Sequence, residues 1–156
     1  MAVVTFSHRH LAMLAAASIV ACGGHRANVT PSPATPDQTI DQFLTAVNTQ
    51  DLDAMALVWG TPRGPEGLVH RFSESDRMQR LTIMQRLLRS DSHMITATDA
   101  TDPARRVVTV AMTQGTRRYA VPFTLVPSRA GGWLIQEIGL DAAMPSAGTG
   151  TAQPRP

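Results

Sequence analysis

The spacing of the apolar residues changes once along this chain, close to Ser90. From Ile40 to Leu88 they recur at steps of three and four residues; from His93 to Leu140 they gather in short runs rich in Val, Ile, Thr and aromatic residues. The first spacing lines one face of a helix, and the second suits a pleated strand. Helices followed by strands, rather than alternating with them, predict an antiparallel sheet covered by helices, hence an α+β domain.

Each element carries its own start and stop signals. Thr35-Pro36-Asp37-Gln38 offers a threonine cap, a proline at the first helical position and a glutamine placed to return a bond to the cap. Ile40, Phe43, Leu44 and Val47 then share one narrow face. After Asn48-Thr49-Gln50 the same spacing restarts at Leu52, Met55, Ala56 and Trp59, with Gly60 placed to end the second helix. Asp51 and Asp53 at its start are read as carboxylates that cap free N–H groups. The segment Gly60 to Gly67, interrupted by prolines and glycines, is predicted to be a loop followed by a short strand over Leu68 to Phe72.

Ser73 or Ser75 caps a third predicted helix running to about Leu88, with Met78, Leu81, Met84 and Leu88 as its main stripe. Ile83 and Leu87 widen that stripe, so this helix is expected to meet more than one neighbour. Arg77, Arg80, Arg86 and Arg89 scatter around it and read as a solvated surface in preference to the alternative, an anion site. Four strands follow, His93 to Thr98, Arg106 to Thr113, Arg117 to Val126 and Trp133 to Leu140, separated by Asp102-Pro103, Gln114-Gly115 and Arg129 to Gly132. Tyr119, Val121, Phe123 and Leu125 alternate and should face the helices. Pro122 cannot donate to a ladder and points to an edge, a bulge or a bend.

The 156 residues suffice for one core with extensions. Every basic residue is an arginine and the formal net charge is only +2, too small for the clustered cations that grip a phosphate backbone, so no nucleic-acid partner is expected. The single cysteine, Cys22, forms no intramolecular disulfide and no paired metal or redox motif.

Cys22 closes a segment in which Arg9 precedes an apolar run, Leu11 to Ala21, with no acidic residue. That is the layout of a secretory signal. Such a run spans only about 17 Å as a helix, against about 30 Å of hydrocarbon, so it does not read as a transmembrane span. Ile19-Val20-Ala21-Cys22 resembles the lipobox of bacterial lipoproteins. The alternative is that Cys22 is an ordinary small apolar residue in a helix. The resemblance implies cleavage before Cys22, lipidation of its sulfur and amine, and stable anchoring by the acyl chains in the cell envelope, facing the periplasm, in either membrane. The division that follows is a signal at 1–21, a loose tether at 22–34, a folded domain at 35–143 and a disordered tail at 144–156.

Within the domain, "TIDQFLTAVNTQDLDAMALVWG" (Thr39 to Gly60) and the closing "GGWLIQEIGL" (Gly131 to Leu140) resemble the nuclear-transport-factor-two-like superfamily with its ketosteroid-isomerase-like members. The resemblance implies a cone of helices against a curved sheet, whose mouth holds a small molecule and in some members an acid/base Asp or His.

Residues able to do such chemistry are sparse. His70 and His93 each lack a partner at i+2 or i+4, so no metal site is expected. Glu137 lies in the last strand, where alternation puts it with Trp133 and Ile135, on either the inner or the outer face. There is no phosphate-binding glycine fingerprint and no G-x-S-x-G nucleophile turn, and nothing calls for a cofactor. The reading is a lipid-anchored domain that binds a small apolar ligand or an envelope protein through the cone mouth and the loop bearing Trp59, Arg63 and Glu66. The alternative is a small ketosteroid-isomerase-like enzyme with Glu137, His70 or His93 as base.

Overall fold

The computed structural model describes residues 33–144. The signal-like segment, Cys22 and its lipobox, most of the tether and the tail from Pro145 lie outside the described residues.

Helix α1 (Pro36–Thr49) starts as its sequence dictates: the Thr35 hydroxyl accepts from the Gln38 N–H at 3.2 Å and Pro36 occupies the first turn. Gln38 takes part through its backbone rather than its side-chain amide. Gln50, in the left-handed conformation, stops the helix, and Asp51 caps α2 (Leu52–Val58) by accepting from the Ala54 N–H at 2.9 Å. Helix α2 ends one residue short of the expected stop, with Trp59 already extended, so Gly60 enters a small hairpin of β1 (Gly60–Thr61) and β2 (Gly64–Pro65). The chain doubles back tightly there: a Cβ on Gly60 would lie 2.4 Å from the Gly64 carbonyl oxygen.

The strand expected over Leu68 to Phe72 is instead a single helical turn, α3 (Glu66–Val69). Pro65 supplies an extended entry, Glu66 places an acid in the first turn, and His70 ends the turn in the left-handed conformation, so no strand pairing remains for this run. Helix α4 (Glu74–Leu88) is capped by Ser73, whose hydroxyl accepts from the Asp76 N–H.

Strands β3 (Ser92–Asp99), β4 (Arg106–Gln114), β5 (Arg117–Pro127) and β6 (Trp133–Ile138) form an antiparallel sheet in chain order. The fourth strand is shorter than expected, because Leu140 belongs to a 3-10 turn, Leu140–Ala143, that packs on β5 and α4. Helices and sheet enclose one core: Ile40, Phe43, Leu44 and Val47 from α1, Met55 and Val58 from α2, Leu81, Met84 and Leu88 from α4, and Val108, Val110, Met112, Val121, Phe123, Leu125 and Ile135 from the sheet. Phe43 and Phe123 meet edge to face at its centre, 6.2 Å apart. Tyr119 reaches the same side, its hydroxyl donating to the Leu87 carbonyl at 3.4 Å. Among the described residues no helix is long and apolar enough to cross a membrane.

The inner strands β4 and β5 pair without a break, whereas β3 and β6 each carry one extra residue. Thr96 is skipped between the pairs Ile95–Val110 and Ala97–Thr109, and Gln136 between Leu125–Ile135 and Thr124–Glu137. Pro122, in an inner strand, sits where β6 leaves: the last β5–β6 pair is Phe123–Ile138, and Gly139 donates to the Pro122 carbonyl at 2.9 Å. The proline's missing N–H therefore costs the ladder nothing.

Candidate functional site

Trp59 is the joint on which the candidate site is built. As the residue that ends α2, it runs parallel to β6 in a bridge with Ile135, and its carbonyl accepts from the Glu66 N–H at 2.8 Å. Pinned to both sides, its indole is buried and stacks on Phe72, with ring centres 5.8 Å apart and planes 10° from parallel. Two guanidinium groups lie against Phe72: Arg80 at 4.4 Å from the ring centre and Arg71 at 5.0 Å. Arg71 also pairs with Oε1 of Glu66, a carboxylate with no solvent exposure whose other oxygen, Oε2, has no hydrogen-bond partner among the described residues.

On α4, Arg80, Ile83 and Met84 stand at i, i+3 and i+4 and so look out over one side of the helix. Opposite them, the extra residue in β6 reorients the strand. Regular alternation would turn Glu137 inward with Ile135 and leave Ile138 outside. The bulge at Gln136 lets Ile135 and Ile138 both pack on the core while Gln136 and Glu137 face outward together. Alternation therefore does not put Glu137 on the face of Ile135. The result is an open groove of about 310 Å³ lined by Trp59, Arg80, Ile83, Met84, Gln136, Glu137, Ile138 and Leu140. Its floor is apolar, and its charged groups are one guanidinium and one carboxylate.

The residues expected to act as a surface or as acid/base groups are dispersed. Of the three loop residues expected to form a surface only Arg63 is exposed; Glu66 is fully buried, and Trp59 keeps 7% of its surface, which it turns to the groove rather than to the loop's outer face, because the short α3 turn folds both against α2 and β6. His70 bonds to Arg77 at 2.8 Å, and since a guanidinium only donates, Nδ1 accepts and the ring proton sits on Nε2. His93 lies on β3 with Nε2 at 3.1 Å from Asp41 on α1. Glu137 is in the groove, but neither histidine lines it.

Sequence reasoning missed the Phe72–Trp59 stack and the Glu66–Arg71 pair. Both depend on the α3 turn, and the signal that points to them is an acid following Pro65 with an arginine and an aromatic close behind.

A second hollow, of about 270 Å³, lies at the β3–β4 turn beside Asp99, Thr101, Asp102 and Arg105. Its carboxylates are already satisfied: Asp99 accepts from the Thr101 N–H and hydroxyl, and Asp102 from the Ala104 N–H, with Arg105 at 3.3 Å. The Thr101 hydroxyl, followed by its N–H, holds the Asp99 carboxyl below its ordinary pKa. This is a turn stabilising itself. Among the described residues no three His, Cys, Asp or Glu side chains gather to hold a metal. No family model, curated protein or solved structure matches the chain.

Proposed function

We propose that this protein is a bacterial envelope lipoprotein, anchored through Cys22, whose domain has the cone of the nuclear-transport-factor-two-like superfamily and binds a small, largely apolar molecule without catalysing its conversion. One observation carries the binding half of this reading. The groove between α4 and β6 has an apolar floor of Trp59, Met84, Ile138 and Leu140 with a few polar groups on its rim, the composition of small-ligand sites. Its volume of about 310 Å³ suits a compact molecule better than a folded partner segment, since a helix with side chains is about 10 Å across. The separation of His70 and His93 from the groove favours binding over isomerase chemistry.

The anchor is supported by the order of charge, apolar run and cysteine in the first 22 residues. Palmitate labelling of the wild type and of Cys22→Ser tests it: the label is expected in the wild type alone, and equal labelling of both refutes lipidation at Cys22. The groove is tested by mass spectrometry of small molecules that co-purify with the full chain and with Met84→Trp, which fills the floor. A molecule retained by the wild type and lost from the folded variant supports binding there; equal retention places the site elsewhere.

A further inference from the structure

We infer that the groove selects a small apolar zwitterion, of the size and chemistry of a free hydrophobic amino acid. This rests on the reading of the groove as a binding site, and deepens it. Arg80 and Glu137 line the same cavity, and among the described residues neither takes part in an ion pair or a side-chain hydrogen bond. Arg80 is placed by an aromatic face rather than a counter-ion: its guanidinium lies 4.4 Å from the centre of Phe72, which is itself stacked on Trp59. A contact with an aromatic face uses up no hydrogen bond, so the guanidinium N–H groups are left to grip a carboxylate.

A second carboxylate, Asp76, borders an adjoining hollow with Gln79, Arg80 and Ile83. Its carboxylate accepts from the Ser73 hydroxyl at 2.7 Å and so belongs to the start of α4. Glu137 is held outward by the bulge on the opposite wall, beside the amide of Gln136.

Charge balance then narrows the occupant. A singly charged anion would satisfy Arg80 and meet Glu137 as a like charge; a singly charged cation would do the reverse. An uncharged apolar body would cover both groups and pair with neither, at the cost of desolvating them. A molecule with an apolar body, a carboxylate and an ammonium meets all three demands: the body on Trp59, Met84, Ile138 and Leu140, the carboxylate at Arg80, the ammonium at Glu137. A cavity of about 310 Å³ is near the lower end of the range for ligand sites, about 300–1,000 Å³, which fits one such molecule.

The test titrates the full chain with L-phenylalanine, L-leucine and L-methionine, with 3-phenylpropanoate and 2-phenylethylamine, which each lack one charge, and with uncharged indole. The methyl signals of Ile83 and Ile138 report occupancy. At least one amino acid should bind about tenfold or more tightly than either singly charged analogue, the weight of one charge-assisted hydrogen bond. Arg80→Gln should abolish the preference over 2-phenylethylamine, and Glu137→Gln the preference over 3-phenylpropanoate, a crossed pattern that loss of folding does not produce. If indole or the singly charged probes bind as well as the amino acids, the zwitterion is overturned and the groove remains a binding site. If no amino acid shifts the Ile83 and Ile138 methyls, the inference is overturned, and the co-purification experiment decides separately whether the groove binds anything.

Discussion

The two helix–sheet seams of this domain use the same kinds of side chain to opposite ends. Between α1 and the inner strands, Ile40, Phe43, Leu44 and Val47 meet Val108, Val110, Val121 and Phe123, and every one is sealed from solvent. Between α4 and β6, Met84 and Ile138 also pack on the core, yet Ile83 keeps 45% of its surface and the seam stands open as a groove. The difference is one of filling. Two phenylalanines close the first seam, whereas Gln136 and Glu137 occupy the positions where large apolar groups would close the second. Apolar residues in the closed seam hold the fold, while those lining the open one border solvent.

Substitutions can break this contrast at several strengths. Phe123→Ala in the closed seam should cost about 3–5 kcal/mol, because its neighbours cannot collapse into the space beneath α1. Urea unfolding measures it, and a loss below about 1 kcal/mol would mean that the seam is not tightly packed. Behind the open seam, Arg71→Ala strands the Glu66 carboxylate without a counter-ion and should cost about 1–3 kcal/mol, less once Glu66→Leu is added to it. A double-mutant cycle in urea checks this, and strict additivity would show that the pair does not support the Trp59 corner.

The contact of β5 with the end of α4 should show itself at alkaline pH. Burial pushes the Tyr119 hydroxyl above its ordinary pKa, opposed by the nearby Arg117. For a group whose folded pKa is raised, the stabilisation is complete below the unfolded value, here about 10, and is lost as pH climbs through the folded one. Unfolding free energy should therefore fall above about pH 10, and Tyr119→Phe should flatten that decline in a pH series. The smallest effect belongs to the open seam: Ile83→Ala should change stability by no more than about 0.5 kcal/mol while weakening ligand binding, as calorimetry with the same variant would show.

Much of this plan was legible in the chain. Local signals that stand next to the residues they govern read correctly: Thr35-Pro36 for α1, Asp51 for α2, Ser73 for α4, and the alternation of Val121, Phe123 and Leu125 for the inner strand. Ile83, expected to widen the stripe of α4 toward a second neighbour, instead keeps 45% of its surface. What failed was set by pairing across space. A turn as short as α3 has no period to detect, and its Leu68, Val69 and Phe72 resemble a strand in composition. The extra residues Thr96 and Gln136 carry no glycine or proline to mark them, yet one of them decides which way Glu137 points. The burial of Trp59 and Glu66 followed from neither residue's type but from the closing of the loop between them.

The way the chain enters the fold has a mechanical consequence. The Pro33 carbonyl accepts from the Trp133 N–H at 2.9 Å, so the chain ahead of α1 is moored to the first residue of β6, and the Thr39 hydroxyl within α1 reaches the Trp133 carbonyl at 3.5 Å. Tension applied from the N-terminal side is delivered to that mooring before it reaches α1. Strand β6 is also one wall of the groove, so for as long as the mooring holds, tension acts on the strand that carries Glu137 rather than on the closed seam under α1. A pull on the chain ahead of α1 is thus felt first at one wall of the groove.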